Sequence, residues 1–186
     1  MTNTILSATL LLALLPTIAR ADQQDSSANQ TVAVITREAR HEITLLPRYT
    51  LFDWIDFRVQ PDGTVTLHGQ VVGFTLRADA EDAVKRIAGV SKVVNQIEEL
   101  PQSPSDAQIR RDAYRAIYAE TGPLFRYALE IVPTIHIVVA NGRLTLHGVV
   151  ETAADKSIAT TNAQRVAGVV GVGNELTVQP TPRPAS

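Results

Sequence analysis

The chain repeats itself, and the repeat fixes most of what it can fold into. Asp62-Gly-Thr-Val-Thr-Leu-His-Gly-Gln-Val71 aligns with Asn141-Gly-Arg-Leu-Thr-Leu-His-Gly-Val-Val150 at an offset of 79 residues, Gly69 falling on Gly148. The register holds without a gap to Arg86-Ile-Ala-Gly-Val90 against Arg165-Val-Ala-Gly-Val169, and on to Val93 and Asn95 against Val172 and Asn174. Upstream, with small shifts, Leu46-Pro-Arg-Tyr-Thr-Leu51 resembles Leu124-Phe-Arg-Tyr-Ala-Leu129. There are thus two copies of one unit, residues 31–99 and 106–179, with a proline-bearing polar linker at 100–105. A unit of about 70 residues folds alone only marginally, and two copies are too few for a solenoid.

Each copy carries the same pattern. Thr31–Ile43 and Asp106–Ala119 read as helices, with Ala33, Ala39 and Ile43 apolar in the first and Ile109, Ala113, Ala116 and Ile117 in the second. Ser105 or Asp106 is the expected N-cap of the latter. Two strands of period two follow. Ile55, Phe57, Val59, Val65, Leu67 and Val71 face one way and Asp56, Arg58, Thr66 and His68 the other; Ile135, Ile137, Val139, Leu144, Leu146 and Val150 repeat the apolar face. Second helices are expected over Arg77–Ala88 and Ala154–Ala167, each stopped by a glycine suited to the left-handed position after a helix, Gly89 or Gly168. A short strand closes each unit, at Val93–Ile97 and Val172–Val178. The expected fold is α+β: two tandem αββαβ domains, each a three-stranded mixed sheet with two helices on one face and the other face open.

Side-chain parity registers the hairpins. A two-residue type I′ loop at Asn141-Gly142 sets Val139 against Leu144, so the apolar faces coincide. The same loop in the first copy would set Val59 against Thr66. A three-residue loop, Pro61-Asp62-Gly63, with Gly63 left-handed in a bulge, restores Val59 against Val65. Gly69 and Gly148 fall on the inward face, where a missing side chain lets a helix approach the sheet.

Ahead of the repeats, the apolar run Ile5–Leu15 and the Ala19-Arg20-Ala21 site read as a signal peptide over residues 1–21, followed by a flexible polar stretch at 22–30. The run is about half the length of a membrane span. Residues 180–186 read as a disordered tail. With no cysteine, the chain has no disulfide, no thiol nucleophile and no Cys-ligated metal. A net charge of −2 and 5% aromatics argue against nucleic acid, which is bound by basic excess and base stacking.

The L-x-G-x-V elements (Leu67 to Val71, Leu146 to Val150), helices ending in A-G-V (Ala88 to Val90, Ala167 to Val169) and final V-x-N strands resemble the BON domain, whose name abbreviates bacterial OsmY and nodulation. The resemblance covers both copies. It implies an αββαβ fold in tandem, an exported and periplasmic bacterial envelope protein without enzymatic activity, and a role in osmotic-stress protection or envelope integrity through contact with phospholipid. The expected partner is anionic phospholipid, bound weakly and peripherally, or an envelope protein. The rival reading is a protein adaptor or self-associating scaffold whose open sheet faces join each other or a partner.

Candidate chemistry is sparse. The registers set His68 against Asp56 and His147 against His136 on the open faces. A closed zinc site takes four ligands and a catalytic one three, so the pairs read as solvent-facing or interface histidines, and no metal or cofactor is expected. No serine stands in a nucleophile motif, so no catalytic residue is expected. Gly168-Val-Val-Gly-Val-Gly173 follows a helix and lacks the Lys-Ser/Thr ending of a phosphate loop, so it reads as cap plus strand entry. The segments Leu45–Trp54 and Gly122–Leu129 join large apolar side chains to an arginine and a tyrosine, a mixture suited to a bilayer surface. Leu51, Ile55 and Leu129 are expected to pack internally. Leu124, Phe125 and Arg126, assisted by Arg111 and Arg115 in the densest basic neighbourhood, are the expected lipid contacts.

Overall fold

The computed structural model describes residues 18–130 and 133–179, with side chains from residue 29 onward. Helix α1 (Ile18–Thr44) leads into strands β1 (Trp54–Val59) and β2 (Thr64–Val71), helix α2 (Leu76–Lys85) and strand β3 (Lys92–Glu99). The second unit repeats this order with helix α3 (Pro104–Ile117), the one-turn helix α4 (Phe125–Ala128), strands β4 (Ile135–Ala140) and β5 (Arg143–Val150), helix α5 (Ala153–Gln164) and strand β6 (Gly171–Val178). Two three-stranded sheets result, ordered β1-β2-β3 and β4-β5-β6. In each the hairpin is antiparallel and the last strand, reached through a helical crossover, lies parallel to the middle one. The fold is the α+β architecture that the repeat implied.

Helix and sheet meet where the sequence periods coincide. Ile35, Ala39 and Ile43 on α1, and Ile109, Ala113 and Ile117 on α3, recur every four residues, so each set forms one stripe. These stripes pack with Val65, Leu67 and Val71 in the first core and with Leu144, Leu146 and Val150 in the second. Ala33, read as part of the first stripe, is exposed, and Ile35 takes its place. Helix α1 also starts at Ile18 rather than Thr31, so the stretch at 22–30 expected to be flexible lies within it; no glycine or proline interrupts the run from Ala19 to Gln30. Most of the leader expected over 1–21, and the tail at 180–186, lie outside the described residues.

Both hairpin registers hold. Val59 pairs with Val65 across a three-residue loop in which Gly63 has φ 80°, and Val139 pairs with Leu144 across Asn141-Gly142, φ 52° and 75°. Helix boundaries differ more. The N-cap of α3 is Ser103, ahead of Ser105 and Asp106, because Pro104 occupies the first turn, where its missing N–H is no loss. Asp106 instead accepts the backbone N–H groups of Asn141 and Gly142, at 2.9 and 2.8 Å, and pins the second hairpin turn to α3. Helices α2 and α5 stop at Lys85 and Gln164. Gly89 and Gly168 then serve the turns Ile87–Val90 and Val166–Val169, not the helix ends themselves.

Gly69 and Gly148 are required for a reason other than helix approach. Their φ values are 135° and 118°, and a Cβ built on either would collide with a backbone carbonyl of the neighbouring strand region, that of Trp54 or Thr134. Closeness of strand to strand, not of helix to sheet, excludes a side chain there.

Candidate binding site at the domain junction

The segment ahead of β1 joins the domains. Asp53 is buried, and its carboxylate accepts the Thr50 N–H (2.9 Å), the Thr50 hydroxyl (2.7 Å) and the Val72 N–H (2.7 Å), which holds residues 50–53 in a fixed bend. That bend presents the Leu51 carbonyl to β4, where the Ile137 N–H donates to it at 2.7 Å. Strand β4 is an edge strand, and two of its outward carbonyls are also covered. The Ile135 carbonyl accepts the Tyr118 hydroxyl and the Val139 carbonyl accepts Nη2 of Arg110, both at 2.6 Å. An edge that would otherwise invite pairing with another chain is thereby closed by the first domain and by α3.

Aromatic rings complete the joint. Trp54 stacks on His147 and meets His136 edge-on, the latter at a centroid distance of 5.2 Å. His136 donates from Nδ1 to the Asp53 carbonyl at 2.6 Å, which fixes its tautomer, and Tyr49 covers it at 5.6 Å. Leu51 and Phe52 pack on the core of the second domain. Burial pushes the His136 pKa down, against the opposing pull of its bond to Asp53. Burial likewise lowers that of His147, more than Glu175 can restore, with the charge of His136 adding to the depression. The Tyr49 hydroxyl is pushed up by burial to about 12.

Beside this joint lies a pocket of about 300 Å³ lined by Arg48, Phe52, Asp53 and Val72 from the first domain and Ala107, Arg110 and Arg111 from the second. Arg110 is only 5% exposed, and its Nε has no hydrogen-bond partner. Burial lowers its pKa, against the opposing pull of Asp106 and Asp53. Arg48 sits at the third position of a turn closed by the Tyr49 N–H on the Leu46 carbonyl, with φ 71°, a place usually given to glycine. Phe74, next to the pocket residue Gly73, is 74% exposed.

A second cleft, of about 880 Å³, separates the helix-free faces of the two sheets and is lined by Asp56, His68, Gln70 and Glu98 on one side and Thr145, His147, Glu175 and Thr177 on the other. The open faces thus turn toward each other. His68 and Asp56 stand 3.6 Å apart and half-exposed, as their register implied. Among the described residues no three His, Asp or Glu side chains converge to hold a metal ion, and no helix is long and apolar enough to cross a membrane.

The expected lipid-contact residues are scattered. Leu124 is fully buried in the second core, which corrects its reading as a surface anchor: α4 turns it inward as part of the helix-to-sheet connection. Phe125 is half-buried. Arg126 is held by Asp155 at 2.7 Å, Glu151 at 3.5 Å and the Pro123 carbonyl at 2.6 Å, so its charge is engaged within the domain. Leu129, expected to pack internally, is exposed. Arg111 and Arg115 are exposed on α3, bonded to Gln108 and Asp112. Only Arg111 reaches the junction pocket. Arg48 and Trp54, which lie in the segment Leu45–Trp54, carry no motif that names their roles, and Arg110 precedes Arg111 in the basic stretch of α3 with no motif of its own.

The chain is thus a tandem pair of αββαβ units, docked through an aromatic joint beside a pocket of about 300 Å³. The BON domain family model matches residues 46–101 and 105–180, and the chain belongs to that family. BON domains are associated with envelope proteins and phospholipid binding, and their proteins are generally not enzymes. No curated protein matches the chain by sequence. Similar solved structures include CdsD, a structural protein of the type III secretion system of Chlamydia trachomatis, with 13% identity, TM-score 0.31, and coverage of 78% of this chain and 92% of that one. The C-terminal domain of CdsD gives 12% identity and TM-score 0.31 over 77% and 96%.

Proposed function

We propose that this is an exported, non-enzymatic envelope protein that supports envelope integrity under osmotic or envelope stress by touching anionic phospholipid at the membrane surface. The observation that carries the reading is Phe74, a large apolar side chain held three-quarters exposed beside the pocket that Arg48 and Arg111 line. An aromatic ring can enter the headgroup boundary while flanking arginines meet phosphate. Arg115 and the exposed Tyr114 continue the same helix. The contact therefore belongs at the domain junction and along α3, not at residues 124–126. Each arginine adds on the order of 1 kcal/mol near an anionic surface. The net charge of −2 opposes the approach, so binding is weak and fades with salt.

Co-sedimentation of the chain lacking residues 1–21 with phosphatidylglycerol and phosphatidylcholine vesicles tests this. Binding to the anionic vesicles only, lost in Phe74→Ser and at high salt, supports it. If the protein ignores anionic vesicles at low salt, the lipid reading fails and the protein-adaptor reading replaces it.

A further inference from the structure

We infer that the junction pocket is a binding site for a small amphiphilic oxyanion, a phosphate ester or carboxylate carrying an apolar group. The starting point is Arg110. A guanidinium offers five N–H donors, yet this one, buried to 95% by its 5% exposure, spends Nη2 on the Val139 carbonyl and leaves Nε without an acceptor. A buried donor left unmet costs free energy and calls for a partner.

The neighbouring acids do not meet that need. Asp53 already accepts three donors from Thr50 and Val72, and Asp106 accepts the N–H groups of Asn141 and Gly142. They balance the charge of Arg110 without accepting from its Nε. Arg48 and Arg111 line the same pocket, one from each domain, so three arginines border it; Arg48 also stands 4.0 Å from the exposed Asp79, and Arg111 donates to Gln108 at 2.6 Å. Arginine is the side chain that grips planar or tetrahedral oxyanions with paired N–H groups. Phe52, Val72, Gly73 and Ala107 supply apolar wall beside Thr50 and Asp53, which suits an apolar substituent. The volume, about 300 Å³, is at the small end of ligand sites.

Arg48 adds a second sign of function. A non-glycine residue at φ 71° is strained, by roughly 1–2 kcal/mol, and its side chain lines this pocket. The ligand would be gripped by both domains at once, so its binding stabilises the docked arrangement. The inference stands apart from the membrane reading, although both use Arg48 and Arg111, because a ligand free in solution can fill the pocket without a bilayer.

The test is titration of the full two-domain protein with butyl phosphate, butyrate and inorganic phosphate. It is followed by the arginine Nε–H resonances in nitrogen-correlated NMR and by calorimetry. Saturable binding of butyl phosphate or butyrate that shifts the Arg110 Nε–H signal, and exceeds binding of inorganic phosphate, is expected. Arg48→Asn, whose side chain tolerates the left-handed backbone, should weaken it about tenfold, as should Arg110→Met if it folds. Phe74→Ser should leave this binding intact while removing vesicle binding, which separates the two readings. Equal binding of inorganic phosphate, wild-type binding by Arg48→Asn, or association with anionic vesicles without any soluble anion binding overturns the inference.

Discussion

The indole of Trp54 lies flat on the imidazole of His147, ring centroids 5.1 Å apart and planes 8° from parallel. The contact joins the first strand of one sheet to the middle strand of the other. Trp54 is the only tryptophan, so its emission reports the joint directly. Protonation of His147 sets a cation against the indole and quenches it. The fluorescence should therefore drop on acidification with a midpoint below the ordinary histidine value of 6.5; His147→Gln should reduce the titration, and the His136→Gln, His147→Gln double variant, which removes both rings that touch the indole, should abolish it. Emission that does not change as the pH is lowered from neutrality while the fold persists would show that the stack does not form in solution.

Trp54→Ala removes the stack on His147 and the edge contact on His136 together. Large-to-small changes of an aromatic core residue cost about 3–5 kcal/mol. Trp54 is only half-buried, so a loss of about 2 kcal/mol is expected, concentrated in the coupling between domains. Calorimetry should show one unfolding transition in the wild type and two in the variant. A single transition in both would mean that the Leu51 carbonyl to Ile137 bond and the linker suffice to couple the domains.

The same histidines make stability depend on pH. Both His136 and His147 have pKa values lowered from 6.5, by burial above all. Above pH 6.5 they are neutral in the folded and unfolded chains, and their contribution is constant. As the pH falls through 6.5 the unfolded chain binds protons that the folded one refuses, so stability drops until the folded pKa is reached. Urea midpoints should decline over this window and flatten in a His136→Gln, His147→Gln double variant. The lowered carboxyl pKa of Asp155 acts in a separate window, below its ordinary 3.8. Mutual repulsion, which the cross-strand register suggests, is the lesser cause: it ranks behind burial for His147.

The fold was legible in the sequence because its signals are local and periodic. Val59 against Val65 and Val139 against Leu144 followed from parity and two glycines, and the structure has both. Boundaries were less so: Ser105 and Asp106 both suit a cap, but Pro104 fits the first turn, so the helix begins ahead of them with Ser103 accepting the Asp106 N–H, and Asp106 is left to bind the Asn141 turn. The site was least legible. Leu124 and Arg126 look like a surface loop until α4 turns the leucine into the core and Asp155, 29 positions away, takes the arginine. Arg48 and Arg110 share a pocket only because Leu51 docks on β4, a contact between backbones that no pattern of side chains announces.

Arg126 should behave as a structural residue. It closes on Asp155, a carboxylate whose side chain is 5% exposed. Burial raises that carboxyl's pKa, but bonds from Thr152 and Tyr127 and the Arg126 charge outweigh it, and the net shift is downward. Arg126→Ala should lower stability by about 1–2 kcal/mol, the range for a hydrogen bond to a charged group discounted for the exposed arginine, and leave vesicle association unchanged. Loss of vesicle binding in a fully folded Arg126→Ala protein would return the lipid contact to residues 124–126.

Gly148, whose added methyl would meet a backbone carbonyl of the neighbouring strand region, contrasts sharply with Gly171, whose methyl would not. In Gly148→Ala the new methyl would fall on the Thr134 carbonyl oxygen, and φ 118° is a conformation alanine avoids. Strand β4 must then move away from β5, breaking the ladder on which the His136 and His147 pair depends. A loss of more than about 3 kcal/mol is expected, from strain together with the displaced strand. Gly171 lies in the adjacent strand β6, without the left-handed φ, and a methyl there meets only the guanidinium end of Arg143 at 3.3 Å, which can swing aside. Gly171→Ala should therefore change stability by no more than about 0.5 kcal/mol, and the smaller freedom of the unfolded chain favours a gain. Urea unfolding of the two variants side by side decides it. Equal losses would mean that both positions are sensitive through strand propensity alone, and that the close approach of Thr134 to Gly148 is not what the glycine is for.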